Sequence, residues 1–291
     1  MSSASPSGIT VFAPAKINLY LHITGKRDDG FHLLDSLVAF ANYGDQIAVA
    51  PSDQLKLTIE GPFAEGLSAG ADNLVLKAAH LLADFAGVEA KADITLTKNL
   101  PIASGIGGGS ADAAATLHAL TELWGISPSA ADLIGVAGEL GADVPVCVAS
   151  VPTFMSGIGE ILRPAPALPD CWLVLVNPNE EVSTPKVFAK RQGDFSSVPA
   201  FGAIPKNATE LAAILATSRN DLTDSASQVA PVVGNVLAAL EATKSQLLTR
   251  LSGSGATCFA LYGTKEAAET AAKELQKSHP DWWIQPAALR S

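Results

Sequence analysis

Between Leu100 and Ser110 the chain reads Leu-Pro-Ile-Ala-Ser-Gly-Ile-Gly-Gly-Gly-Ser, and four of the five residues from Gly105 to Gly109 are glycine. Glycine lets the backbone approach a ligand closely and take positive φ, which a side chain would oppose. An Ala-rich stretch from Ala111 to about Trp124 follows, with the composition of a helix. A glycine loop that opens a helix points free N–H groups at an anion, and the helix dipole adds a favourable field. The chemistry on offer is phosphate binding; a tight turn packing a helix on a sheet is the other use of such a cluster.

Two familiar phosphate cradles do not fit. A P-loop needs a lysine before its closing Ser or Thr, and Gly109-Ser110-Ala111 has none. A dinucleotide fingerprint needs a third glycine where Ser110 stands, and Asp132, at about the spacing of a ribose-binding acid, falls inside a predicted helix rather than after a strand.

Further polar candidates lie near the start of the chain. Residues Lys16 to Ile23 alternate, with Ile17, Leu19, Leu21 and Ile23 on one side and Lys16, Asn18, Tyr20 and His22 on the other. The pattern predicts a half-buried strand on which Lys16 and Asn18 share the polar face. On strand habit alone Lys16 is a solvent-facing lysine.

The elements around these groups can be read in outline. Gly25 to Gly30 is a turn, and Leu55–Ile59 is a second alternating strand. Asp72 is the expected N-cap of a helix carrying Leu74, Val75, Ala78, Leu81 and Leu82, which Gly87 should stop. A strand at Ile94–Thr97 leads into the glycine loop, a helix is expected from about Ser129 to Leu140, and Gly141-Ala142-Asp143-Val144-Pro145 reads as its exit into a strand. The Gly- and Pro-rich stretch Gly157–Pro169 marks a domain boundary. Beyond it come a strand at Trp172–Val176, helices near Thr209–Ala216 and Pro231–Ala242, a strand at Ala256–Leu261, a helix at Lys265–Lys277 and a strand near Trp283–Gln285. That order is expected of a ferredoxin-like α+β domain.

A length of 291 residues with 48 % hydrophobic content supports two well-packed domains. Only the Ser-rich first eight residues look disordered, and nothing there resembles an export signal. A net charge of −10 argues against a nucleic-acid partner, so a phosphate ligand must be held locally by N–H groups and one or two placed cations. Cys147, Cys171 and Cys258 lie far apart in apolar surroundings, without metal-binding spacing, and read as reduced core residues. No apolar run is long enough to span a bilayer, and a cytoplasmic protein is expected.

The glycine loop and its flanks resemble the second motif of the GHMP kinases, in which a Pro-x-x-x-Gly-Leu-Gly-Gly-Ser-like loop holds the phosphates of ATP. Pro14-Ala15-Lys16-Ile17-Asn18-Leu19 resembles the first motif of that family and Leu251-Ser252-Gly253-Ser254-Gly255-Ala256-Thr257-Cys258 the third. Three short motifs in the right order span nearly the whole chain. Gly25-Lys26-Arg27-Asp28-Asp29-Gly30-Phe31-His32 and Leu140-Gly141-Ala142-Asp143-Val144-Pro145 are similar to the branch of the family that acts on a cytidine-diphosphate-linked methylerythritol. Phe31 replaces a usual Tyr, Ile106 a usual Leu and Ala103-Ser104 a glycine pair; none of these changes removes a reactive group.

The resemblance implies a two-domain α+β GHMP kinase fold, with an N-terminal ribosomal-protein-S5-like, ATP-binding domain over residues 1–160 and a C-terminal ferredoxin-like domain over 161–291. It implies ATP as co-substrate with Mg²⁺, for which Ser110 at the helix start is the best protein candidate, N-capping being its other role, and ATP binding by Pro101, Ile102, Ala103, Ser104, Gly105, Ile106, Gly107, Gly108, Gly109, Ser110 and Ala111. Asp143 is then the base for the acceptor hydroxyl. Lys16 balances its charge and that of the moving phosphoryl group, and Asn18 orients the acceptor. Phe31 and Phe188 would sandwich cytosine while His32 hydrogen-bonds its edge. Without the resemblance, Asp143 is a turn residue, His32 a surface or packing residue and Phe188 core. The implied reaction phosphorylates the 2-hydroxyl of the cytidyl substrate in non-mevalonate isoprenoid synthesis. Another GHMP kinase of homoserine or mevalonate type, the related diphosphomevalonate decarboxylase, and a catalytically silent nucleotide-binding regulator are the alternatives; Gly30-Phe31-His32 speaks against the first two and the joint presence of Lys16 and Asp143 against the last.

Overall fold

The structure is a computed structural model that describes residues 8–199, 201 and 204–290. The expected disorder and the expected absence of an export signal concern residues that, up to position 7, lie outside the described ones. The chain forms two compact units that do not follow chain order: one takes in residues up to Ala15, Gly44–Ile102 and Gly107–Ala149, the other Lys16–Tyr43, Ala103–Ile106 and everything from Ser150 onward. Two long strands, β1 (Ile9–Lys26) and β2 (His32–Ala50), each pass from one unit to the other.

In the first unit the end of β2 pairs antiparallel with β4 (Ala92–Thr97), Gln46 opposite Thr97 and Ala50 opposite Asp93. Strand β3 (Leu55–Glu60) adds to β4 in parallel. Helix α1 (Leu74–Ala86) begins one residue later than expected: Asn73, not Asp72, is the cap, its side chain accepting from Val75 N–H at 2.9 Å. Gly87 stops the helix in the left-handed region at φ 65°. Helix α2 (Gly108–Leu123) starts inside the glycine run rather than at Ala111. Helix α3 (Ala130–Leu140) is opened by a reciprocal capping box between Ser129 and Asp132.

The expected strand after Gly141 is a helix, α4 (Val144–Ala149). Its β-branched run suggested extension, but Pro145 is the second helical residue, where a missing N–H costs nothing. Val144 N–H turns back to Gly141 O at 3.1 Å.

In the second unit, β5 (Thr153–Gly157) and β6 (Ile161–Pro164) form a hairpin whose turn and second strand fall in the Gly- and Pro-rich stretch, and β5 pairs with β2 from Leu34 to Val38. Then come β7 (Trp172–Asn177), α5 (Thr184–Lys190), α6 (Ala208–Leu215), α7 (Thr223–Val229), α8 (Val232–Glu241), β8 (Gln246–Leu251), β9 (Cys258–Tyr262), α9 (Lys265–Ser278) and β10 (Trp283–Arg290). The strands lie in the order β10-β7-β9-β8, all antiparallel neighbours. With α8 and α9 as the two crossovers this is the expected ferredoxin-like arrangement. Its core holds Val174, Val176, Val236, Leu240, Cys258, Ala260, Ala268 and Leu275.

All three cysteines are free and buried. Burial, with a small addition from Asp170, pushes the Cys171 thiol up to about 12, so it is inert near neutrality. Among the described residues no helix is long and apolar enough to cross a membrane.

Candidate active site

The glycine loop is held by backbone fitting against backbone. Gly105 has φ 76°, and a Cβ there would lie 2.6 Å from Gly255 O and 2.7 Å from Ser252 O. Gly253 answers with φ 55°, its own Cβ position 2.8 Å from Gly105 O. No side chain fits at either place, which is why both loops need glycine there. Thr257 N–H donates to Ser104 O at 3.0 Å, and Lys16 N–H donates to Ile106 O at 2.9 Å. Asn220, in turn, holds the 251–255 loop by donating to Leu251 O and Gly253 O at 2.9 and 2.8 Å.

Gly107 caps α2 at φ 62°, with no side chain bonded to the helix start. An N-terminus capped by glycine leaves its first N–H groups available to an anion.

Beneath this helix start lies a charge cluster that spacing did not reveal. Lys98 Nζ donates to Asp45 Oδ2 and to Asp112 Oδ2, each at 2.6 Å, and all three residues are buried. Asp45 Oδ1 also accepts from the N–H groups of Asn99 and Leu100 at 2.5 and 2.8 Å, fixing the approach to the loop. Burial pulls the Lys98 ammonium down, but Asp112 and Asp45 outweigh it and its pKa stands above the ordinary lysine value. Burial pushes the Asp112 carboxyl up to about 8, opposed by Lys98 and aided by Asp45. A Cβ at Gly108 would stand 3.1 Å from Lys98 Nζ, so the cluster touches the loop itself.

The polar face of β1 is not the solvent face that alternation suggested. Lys16, Asn18, Tyr20 and His22 are all buried, at 3, 1, 2 and 7 % exposure. Tyr20 donates its hydroxyl to Asp35 Oδ1 at 2.6 Å. Asn18 donates its side-chain amide to Ser36 Oγ at 2.8 Å and its N–H to Ser252 Oγ at 3.2 Å, while its Oδ1 is buried without a partner. A strand buried on both faces spends that many polar groups only where they position something.

His32 and Phe188 lie together, ring centroids 5.4 Å apart with 34° between planes. Burial, then Lys26, then Arg191 lower the His32 pKa, which favours the neutral ring. Phe188 packs against the second unit's core, and Phe31 stands 59 % exposed. Asp143 is half-buried in the turn between α3 and α4, in the first unit with Pro101, Ile102 and Gly107–Ala111. Lys16, Asn18, Phe31, His32, Ala103–Ile106 and Phe188 belong to the second.

Sequence reasoning missed Ser36, Asp45, Lys98, Asp112 and Ser252. The one local signal was an Asp at position 112 within the alanine run Ala111–Ala115.

Comparison with known proteins bears directly on this arrangement. Residues 73–150 match the GHMP kinases N terminal domain and residues 199–281 the GHMP kinases C terminal domain. The chain belongs to the GHMP kinase family, and it is a kinase that takes ATP as co-substrate. Within that family it is 54 % identical to a 4-diphosphocytidyl-2-C-methyl-D-erythritol kinase of Paramagnetospirillum magneticum, over 98 % of this chain and 100 % of the relative. It is 46 % identical to the protein of the same name from Rhodospirillum rubrum, over 97 and 94 %. A crystal structure of 4-(cytidine 5'-diphospho)-2C-methyl-D-erythritol kinase superposes with a TM-score of 0.77 at 30 % identity, covering 97 % of this chain and 100 % of that one. Homoserine kinase from Cytophaga hutchinsonii, at 20 % identity and a TM-score of 0.70 over 99 and 96 %, shares the fold. The expected two-domain α+β GHMP fold is therefore the one observed.

Proposed function

We propose that this kinase transfers the γ-phosphoryl group of ATP to the 2-hydroxyl of 4-(cytidine 5'-diphospho)-2-C-methyl-D-erythritol, in non-mevalonate isoprenoid precursor synthesis in the cytoplasm. The observation that carries the reading is the pairing of His32 with Phe188 in a chain whose full-length relatives at 46 and 54 % identity bear that substrate's name. A neutral imidazole presents one donor and one acceptor to a base edge, while an aromatic face supplies stacking area.

The acceptor oxygen forms a bond to the γ-phosphorus as the bond to the ADP oxygen breaks. Asp143 takes the hydroxyl proton, Lys16 offsets charge on the phosphoryl oxygens, and Asn18 Oδ1 accepts a hydrogen bond from an acceptor hydroxyl. The N–H groups of the Pro101–Ala111 loop hold the ATP phosphates. Phe31 closes over the cytosine face opposite Phe188. Mg²⁺ supplies charge neutralisation of the phosphates. Among the described residues no group of three or more His, Cys, Asp or Glu side chains is placed to hold a metal ion.

ADP release measured with a panel of hydroxyl acceptors tests the reading. Turnover of the cytidyl substrate, with homoserine and mevalonate inert, is expected; brisk turnover of either of those two beside an inert cytidyl substrate would overturn it.

A further inference from the structure

Ser36 has one hydroxyl proton and two polar neighbours. Its Oγ lies 2.5 Å from Tyr20 O, to which only the hydroxyl can donate, and 2.8 Å from the Asn18 side-chain nitrogen. With the proton spent on the carbonyl, the oxygen can only accept, so Asn18 must turn its NH₂ toward Ser36. The opposite amide orientation would set two acceptors against a single proton in a fully buried place. Ser252 acts alike on the main chain: its Oγ accepts from Asn18 N–H and lies 3.2 Å from Gly105 O, to which it donates.

What remains of Asn18 is Oδ1, buried and without a partner. A Cβ at Gly253 would lie 3.5 Å from that atom, so Oδ1 faces the Gly253 turn of the 251–255 loop. An acceptor held in a fixed direction and left unpaired by the protein selects a donor, and a polyol hydroxyl is such a donor.

We propose that Ser36 is a positioning residue for the phosphoryl acceptor: it locks the Asn18 amide with Oδ1 as the unpaired atom, so that the site reads a substrate hydroxyl. This rests on the assignment of Asn18 to acceptor binding made above.

A kinetic double-mutant cycle tests it, with wild type, Ser36→Ala, Asn18→Ala and the double variant assayed for the cytidyl acceptor and for ATP. Ser36→Ala frees the amide to rotate and should lower kcat/KM for the acceptor about tenfold, leaving KM for ATP within about twofold. In the Asn18→Ala background the same change should cost nothing more. An equal loss in both backgrounds, or a loss that falls on KM for ATP, would overturn the proposal. Ser36→Cys, which keeps the volume but offers a weak sulfur acceptor, serves in the same cycle if the alanine variant does not fold. Wild type is the control for the substrate: if it turns over another hydroxyl compound instead, the substrate reading fails, and the cycle run with that compound still decides the role of Ser36.

Discussion

Lys98 Nζ lies 2.6 Å from Asp112 Oδ2 with both side chains 3 % exposed, and the second carboxylate of Asp45 sits at the same distance. Two carboxyl groups sharing one ammonium out of water cannot both be comfortable as anions, and breaking a buried ionic contact by removing one partner costs about 3–5 kcal/mol. Lys98→Met should therefore lower the melting temperature steeply.

Asp112 should make stability depend on pH. Its folded pKa, about 8, lies above the ordinary 3.8, so the folded chain keeps this proton after the unfolded chain has released it. The resulting stabilisation is full in acid and is lost as pH rises through that interval. Asp112→Asn removes the titration, so its melting temperature should decline less than the wild-type value between roughly pH 5 and 8. Parallel curves for the two proteins would contradict this origin.

The Gly105 contact predicts a sharp steric effect. A methyl group there would meet Gly255 and Ser252 backbone at 2.6 and 2.7 Å in a left-handed conformation. Gly105→Ala should weaken ATP binding by about tenfold or more, since strain of 1–3 kcal/mol is typical of such positions. Calorimetric titration of the folded variant with ATP measures it.

His32 should stay neutral to lower pH than an ordinary histidine, because burial, Lys26 and Arg191 all disfavour its charged form. KM for the acceptor should then be flat from alkaline pH down past about 6.5, the ordinary histidine value. Arg191→Ala removes one of the opposing cations and should move the acid limb upward; an NMR titration of the His32 ring reports the shift directly.

Much of this was legible in the chain and part was not, for physical reasons. The helix stop at Gly87 and the helix start near Ser129 were visible because helix ends are local chemistry. Helix α4 was misread because Val144, Val146 and Val148 favour extension while tertiary packing imposes the helix. The start of α2 was placed late because glycine counts against a helix interior, yet Gly108 and Gly109 form its first turn. Lys98 meets partners 53 and 14 positions away, and no periodicity encodes such a meeting. Alternation located Lys16 and Asn18 on one face but could not say that this face is buried too.

Asp143 carries the base assignment. Asp143→Asn keeps the shape of the turn before α4 and removes the proton acceptor, so kcat should fall by about 100-fold or more with little change in melting temperature. A variant with near-normal kcat would end that assignment.

The central claim is that this kinase selects its acceptor by the cytosine, and the direct measurement is kcat/KM for the cytidine-diphosphate methylerythritol against its uridine counterpart. Stacking on Phe188 in the proposed site would tolerate either ring and contribute about 1–3 kcal/mol to both. Discrimination must come from His32 and neighbouring backbone groups, which uracil would leave unpaired. The cytidine substrate should be strongly preferred, and His32→Ala should narrow the gap. Equal kcat/KM for the two in the wild-type enzyme would contradict the account.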